Sequence, residues 1–177
     1  MDITQLIADD HHEQRRLFAV LEEIDCRDVA SLTAVWGRLA ALLEVHAKAE
    51  EEVFYPELLR LGRGAGGKSS AEAETKDAIH DHNQIRDAVA AVGGCDVGTE
   101  TWTTRVAKAN AVNSDHMGEE EREALADFRR HAPLPLRHDL AVAFAAFEAV
   151  HVTGVDAVNT NPRAYVAAHA SAAAGDA

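Results

Sequence analysis

The stretch LLEVHAKAEEEVFYP, residues Leu42 to Pro56, carries the residues that decide the fold. Its apolar residues recur at helical three-and-four spacing, and His46 and Glu50 lie on the same face of that helix. Such a face packs into a protein core, where an unpaired carboxylate costs roughly several kcal/mol to bury. We therefore expect a positively charged partner to compensate Glu50.

Composition and charge limit the class of protein. The chain has 177 residues, 47% of them hydrophobic, which is enough for one globular domain with a core. Its formal net charge of −13 argues against direct binding to nucleic acid or to an anionic membrane. The N-terminal sequence MDITQLIADDHHEQ lacks the basic and apolar regions of a signal peptide. Cys26 and Cys95 have no metal or redox spacing, so we expect reduced thiols in a cytoplasmic protein.

Helical periodicity runs through the chain, and no stretch alternates convincingly as a β-strand would. We predict an all-α fold in which short connections make neighbouring helices antiparallel, giving a four-helix bundle and an additional C-terminal helix. The predicted helices cover residues 4–24, 31–61, 69–93, 99–130 and 136–151. We assign residues 1–131 to the bundle domain and residues 132–177 to a C-terminal extension, whose end SAAAGDA we expect to be flexible.

The last predicted helix carries an apolar stripe of Leu140, Phe144 and Phe147. A helix with such a stripe is not expected to stand alone in solvent. We expect it to pack across the bundle or to form a homodimer contact. His151 continues the stripe, and we expect it to pack or hydrogen-bond there rather than bind a metal.

Each bundle helix places a histidine on its apolar stripe near mid-length, and two helices add a glutamate one turn later. These residues are His11, His46, Glu50, His82, His116 and Glu120. Antiparallel packing brings all of them to one level of the core, where imidazole nitrogens and carboxylate oxygens suit iron, manganese or zinc. Structural zinc sites are four-coordinate and usually rich in cysteine, so this set fits a two-metal centre better. The alternative is a metal-free interaction bundle with hydrogen-bonded core histidines.

Four segments resemble the motifs of haemerythrin-like proteins of the HHE cation-binding type. They are DDHHEQRRLF, HAKAEEEVFYP, DHNQIR and HMGEEERE, and the resemblance covers roughly residues 1–131. It implies a four-helix bundle with two non-haem iron ions, joined by an oxo or hydroxo bridge and held by the six residues just named. Oxygen-carrying members have a second histidine on the third helix, where this chain has Ala78 and Arg86. That departure argues against reversible oxygen storage.

The resemblance favours a cytoplasmic di-iron protein that binds or reacts with dioxygen, hydrogen peroxide or nitric oxide. If it is an enzyme, we expect a catalase-like activity or another di-iron oxidoreductase. The alternative is a non-enzymatic iron or oxygen sensor, or an iron store. No nucleic-acid or membrane partner is expected.

Several neighbouring residues have competing interpretations. We expect His12 at the surface or just outside the centre, and His80 to face away from it. Tyr55 either approaches the metals as a hydrogen-bond donor or ligand, or lies at the core boundary. The other acidic residues of the two glutamate runs should form mainly a solvated face, although Glu51 could reach the rim of the centre. They are Glu51, Glu52, Glu119 and Glu121.

The segment GRGAGGKS, residues 62–69, matches the phosphate-binding pattern of nucleotide-binding proteins. That pattern works only between a buried strand and a helix, and here it follows a helix. We therefore expect a loop and not a nucleotide site.

Overall fold

The computed structural model describes residues 1–173, which form helices and loops without strands. The helices are α1 (Ile3–Glu23), α2 (Val29–Ala49), a π-helical turn (Glu50–Phe54), α3 (Tyr55–Leu61), α4 (Ala71–Gly93), α5 (Glu100–Arg122), α6 (Ala124–His131), α7 (Leu134–Val150) and α8 (Pro162–Ala173). α1, α2 with α3, α4, and α5 with α6 form the predicted four-helix bundle. Within this range no helix combines the length and the apolar character needed to cross a bilayer.

Polar side chains cap the long bundle helices, and α2 begins at Val29, two residues before its predicted start. Asp2, Asp28, Ser70 and Thr99 each accept a hydrogen bond from a backbone amide in the first turn of the helix that follows. The third bundle helix was expected to begin near Ser69, but Ser70 is the capping residue. Helix starts are uncertain by a residue or two when neighbouring residues are equally good caps.

Two apolar clusters fill the bundle, and a polar layer separates them. One cluster surrounds Phe54, Phe128 and Phe144, and the other surrounds Trp36 and Trp102. The predicted stripe histidines lie between these clusters, each 4% exposed or less. The fold thus encloses a set of titratable groups in the middle of an apolar core.

The second bundle helix, which was predicted to run without a break over residues 31–61, is interrupted. Between Glu50 and Phe54 the backbone forms a π-helical turn, in which the Tyr55 amide donates to the Glu50 carbonyl. The extra residue shifts the buried face by one position, so Tyr55 and Leu58 are fully buried while Val53 is only half-buried. π-Helical turns inside α-helices are frequent at functional sites.

The fourth bundle helix is also interrupted. It was expected to run through residues 99–130, but Glu123 adopts φ −109° and ψ −88° and separates α5 from α6. Asp127 of α6 accepts hydrogen bonds from the backbone amides of Arg63 and Gly64, at 2.6 and 2.9 Å. The break therefore brings α6 against the loop after α3.

The C-terminal segments pack onto the bundle. α7 contacts α1, α2 and the π-helical turn, and its Ala141 and Phe144 are fully buried. Of the two alternatives for this stripe, packing across the bundle is therefore the observed one. His151 donates to the Phe147 carbonyl at 2.8 Å, as expected.

α8 was not predicted. Its sequence PRAYVAAHASAA has few large apolar residues and so shows little periodicity, yet Tyr165 is buried against α3 and α4. Residues 171–173, which were expected to belong to a flexible tail, continue this helix, and residues 174–177 lie outside the described part of the chain. The domain boundary at residue 131 stays a prediction.

Candidate metal centre

All six predicted ligands meet in the polar layer. Their ligand atoms form two groups, in each of which the atoms lie within 4.8 Å of one another. The first group is His11, His46, Glu50 and Glu120, and the second is Glu50, His82 and His116. None of these residues is more than 4% exposed.

Glu50 belongs to both groups because its two oxygens face different histidines. Oε1 lies 3.1 Å from His46 Nε2, and Oε2 lies 3.2 Å from His82 Nε2. On the first side, His11 Nε2 lies 3.4 Å from Glu120 Oε2. On the second side, the Nε2 atoms of His82 and His116 are 3.2 Å apart. Burial acts to raise the pKa of Glu50, but the charges and contacts of His46 and His82 together outweigh it and hold that pKa well below its usual value.

The outward nitrogen of each histidine faces a second carboxylate. The Nδ1 distances are 2.9 Å for His11 to Glu121, 3.1 Å for His46 to Asp10, 3.0 Å for His82 to Glu51 and 3.6 Å for His116 to Asp81. The first three are hydrogen bonds, and an ionised carboxylate only accepts, so Nδ1 carries the proton in those rings. Their Nε2 lone pairs then point into the centre, as in metal-binding histidines.

Several buried atoms in the centre have no hydrogen-bond partner. They are the Nε2 atoms of His11 and His46, both carboxylate oxygens of Glu50, and Oε2 of Glu120. Lone pairs that face one another repel unless a proton or a cation lies between them. Imidazole nitrogens and carboxylate oxygens are suitable ligands for a metal cation, and the atoms without hydrogen-bond partners support that fit.

Protons can compete for the same positions. Burial lowers the pKa of His82, but its close contacts with the carboxylates of Glu50 and Glu51 outweigh it and raise that pKa to about 9. Burial also lowers the pKa of His46, but the charges and contacts of Glu50 and Asp10 together outweigh it and raise that pKa well above its usual value. The centre is therefore suited to bind positive charge, whether that charge is a proton or a metal cation.

Tyr55 is not a boundary residue. It is fully buried, and its hydroxyl donates to Glu120 Oε1 at 2.7 Å. Burial raises the pKa of Tyr55 well above its usual value, and the charges of Glu120 and Glu50 act in the same direction. The phenol thus keeps its proton and orients Glu120, in line with the hydrogen-bond alternative considered from the sequence.

Glu51, which was expected on a solvated face but able to reach the rim, is buried, and the side chain of Glu121, expected on that face, is only 35% exposed. Glu51 is 4% exposed, and both residues bond a centre histidine. Sequence reasoning also missed the roles of Asp10 and Asp81. The four carboxylates share a signal, because each is adjacent in sequence to a predicted ligand but contacts the histidine of another helix.

Arg86 is one of the two residues at the sequence positions where the family resemblance placed the second histidine of oxygen carriers. Its guanidinium donates to Glu51 Oε1 at 3.0 Å and to Glu44 Oε1 at 2.8 Å, and the residue is only 6% exposed. It therefore neutralises the carboxylate that orients His82. His12 and His80 are exposed and belong to neither ligand group, as the sequence predicted.

Fold and site together define a helical bundle with a buried centre of histidines and carboxylates. The family model described as “hemerythrin HHE cation binding domain” matches residues 2–127 of this chain. The chain therefore belongs to the hemerythrin HHE cation-binding family, as its motifs indicated. Searches of curated proteins and of solved structures each gave no significant match.

Proposed function

We propose that the protein holds two non-haem iron ions and binds or reacts with a small oxidant or gas: dioxygen, hydrogen peroxide or nitric oxide. The six ligands of this proposal are those of the two groups around Glu50. The observation that carries it is the orientation of Glu50, whose oxygens face His46 on one side and His82 on the other. A carboxylate in that position suits a bridge between two metal ions.

The two groups offer unequal numbers of ligands. The first contains four side chains, and the second contains three, of which Glu50 is shared. Iron in such sites commonly takes up to six ligands, so the second position has more room for a molecule from solution. This inequality supports binding of a small oxidant at the position held by His82 and His116.

The surrounding residues favour peroxide decomposition over attack on an organic substrate. Phe144 packs its ring edge-on against His46, at 5.9 Å between centroids, and helps to exclude water. The Tyr55 hydroxyl donates to Glu120 Oε1, and its ring lies beside His82 of the second group, at 5.7 Å between centroids. A pair of iron ions supplies two-electron exchange, and two peroxide molecules then yield two water molecules and one dioxygen without another reductant.

A sensor or store is the second candidate, and one contact favours the sensor. The Tyr165 hydroxyl of α8 donates to the backbone carbonyl of Glu51, inside the π-helical turn next to Glu50. Metal binding at Glu50 would then be linked to the docking of α8. A sensor should show strong loosening of α8 when the metal is removed, measurable by amide hydrogen exchange.

Spectroscopy and turnover of iron-loaded protein test the proposal. Azide should add a visible absorption band, and peroxide should be consumed with evolution of dioxygen. Replacing His116 with Ala should abolish both, whereas His12→Ala, an exposed histidine beside a proposed ligand, should retain them. An iron-loaded protein with neither an azide band nor peroxide consumption would contradict this function and leave the sensor or store in its place.

A further inference from the structure

A narrow acidic cleft between α4, α5 and α6 reaches the metal centre from the surface. Five carboxylates that are not proposed ligands line it: Glu74, Asp77, Asp81, Glu119 and Glu123. Two proposed ligands, His116 and Glu120, line it as well. Its volume of about 20 Å³ is enough for one water molecule or one bare ion.

Exposure falls along the cleft toward the centre. The side chains of Asp77 and Asp81 are 52% and 25% exposed, and that of Glu123 is 13% exposed. Those of His116 and Glu120 are 4% and 1% exposed. The cleft therefore has an inner end at two residues of the centre, and we call its outer end at Asp77 and Glu123, where Lys68 lies, the mouth.

A cation of the protein itself already occupies the mouth. Lys68 Nζ lies 2.5 Å from Asp77 Oδ2 and 3.8 Å from Glu123 Oε2. Lys68 belongs to the glycine-rich loop, which lies close to the mouth, since a Cβ added at Gly66 would collide with the side chain of Glu123. In this loop, whose sequence resembles a phosphate-binding loop, backbone amides donate to buried carboxylates instead. The Ala65 amide, for example, donates to Glu74 Oε1 at 2.7 Å.

Unsatisfied carboxylate oxygens continue inward from the mouth. Glu74 is 3% exposed, and its Oε2 has no hydrogen-bond donor. Glu120 Oε2, at the inner end, also has none. Buried acceptors without donors are rare in folded proteins and point to a proton or a cation as the missing partner, and both are positive charges that such a cleft attracts.

We propose that this cleft is the uptake route of a divalent cation to the centre, and that Lys68 leaves the mouth as the cation enters. This inference rests on the proposed metal-binding function. Five carboxylates around a narrow cleft with low-dielectric walls concentrate cations and raise their association rate by roughly 10-fold to 1,000-fold. Lys68 opposes that field at its outer end and so limits the rate.

The rate of metal uptake tests the route without any measurement of activity. Metal-free protein is mixed with Co²⁺ in a stopped-flow instrument, and binding is followed by the visible bands of the bound ion. Asp77→Asn combined with Glu123→Gln should slow uptake about tenfold. The number of ions bound at equilibrium should not change, because neither residue is a proposed ligand.

The matched control is Glu22→Gln combined with Glu23→Gln, which changes the net charge equally at two exposed positions near the far end of α1. It should slow uptake less than about twofold, because exposed charges far from the mouth are screened. Equal rates for the two double variants would overturn the route. A wild-type protein that binds no Co²⁺ or Fe²⁺ at equilibrium would overturn the metal-binding function together with it.

The lysine gives a second test with the opposite sign. Lys68→Met should speed uptake several-fold over wild type, and Lys108→Met, an equal charge change at an exposed position on α5, should not. Similar rates for these two variants would overturn the role of Lys68 at the mouth.

Discussion

Replacing Glu51 with Gln tests the carboxylates that orient the centre. Glu51 Oε1 accepts from His82 Nδ1 and from Arg86 Nη2, both at 3.0 Å, and the side chain is 3% exposed. A glutamine oxygen can still accept both hydrogen bonds, but the negative charge is lost. The substitution therefore removes charge while it preserves shape.

The size of the effect follows from these two hydrogen bonds. Bonds to charged groups contribute about 1.5–3 kcal/mol and neutral ones about 0.5–1.5; the His82 bond becomes neutral and Arg86 loses the charge of one ion-pair partner, so the variant should lose about 2 kcal/mol in total. For a chain of this length that lowers the melting temperature of the metal-free protein by about 4–8 °C. Metal affinity should fall roughly 10-fold to 100-fold, as when other groups that hold a metal-binding histidine are removed.

The pH dependence has a definite sign. Burial alone would raise the pKa of Glu51, but the hydrogen bond and charge of His82 and the charge of Arg86 lower it below the ordinary 4.5. A carboxyl group with a lowered pKa stabilises the fold above its unfolded pKa, and that stability is lost as the pH falls through the folded value. The difference in stability between wild type and variant should thus be largest at neutral pH and shrink below pH 4.5.

The assay combines thermal unfolding of metal-free protein with chelator competition for Fe²⁺ under anaerobic conditions. Glu52→Gln is the matched control, since this neighbouring side chain is 52% exposed. Among the residues that the structure describes, its ion-pair partner is the partly exposed Lys48. The control should stay within about 0.5 kcal/mol of wild type. If Glu51→Gln behaves like Glu52→Gln in both measurements, Glu51 does not orient His82.

Three further substitutions probe other parts of the structure. Tyr55→Phe should weaken Fe²⁺ binding about tenfold in chelator competition, because Glu120 loses its hydrogen bond; unchanged affinity would refute that role. Phe144→Ala should lower the free energy of unfolding, measured with denaturant, by about 3–5 kcal/mol. Val142→Ala, on the exposed face of α7, should lower it by less than about 0.5 kcal/mol, and equal losses would show that α7 is not docked on the bundle. Burial raises the pKa of Glu74 to about 7, so this residue stabilises the fold when protonated and loses that contribution as the pH rises through 7. Glu74→Gln should therefore melt higher than wild type at pH 8, with up to about 3 kcal/mol more free energy of unfolding, and nearly equally at pH 5. A difference that does not change with pH would contradict the raised pKa of Glu74.

The burial and meeting of the six proposed ligands were predictable because long helices repeat their buried face. His11 and His82 follow apolar residues at three-and-four spacing over many turns, and the observed burial agrees with the stripes. The π-helical turn after Ala49 was not predictable, since one extra residue in a turn leaves no mark in composition. Its consequence is the burial of Tyr55, which the uninterrupted helix did not require.

The outer carboxylates escaped sequence reasoning for a geometric reason. A residue next to an inward-facing ligand lies about 100° around the helix, which looks like the solvated side when one helix is considered alone. In a four-helix bundle that direction points into the seam with a neighbouring helix. Glu121, next to Glu120, reaches His11 of α1 in this way, and the hydrogen bond lowers the pKa of Glu121 to about 2.

The iron content of anaerobically loaded protein at equilibrium tests the central claim most directly, with His80→Ala and Glu50→Ala as the informative variants. We predict about two iron ions per folded chain in wild type and in His80→Ala, whose exposed histidine lies outside both ligand groups. Glu50→Ala should lose most of its iron, because both groups share this carboxylate. Full occupancy in Glu50→Ala, or a wild-type protein that saturates with one ion or none, would contradict a two-iron centre built around Glu50.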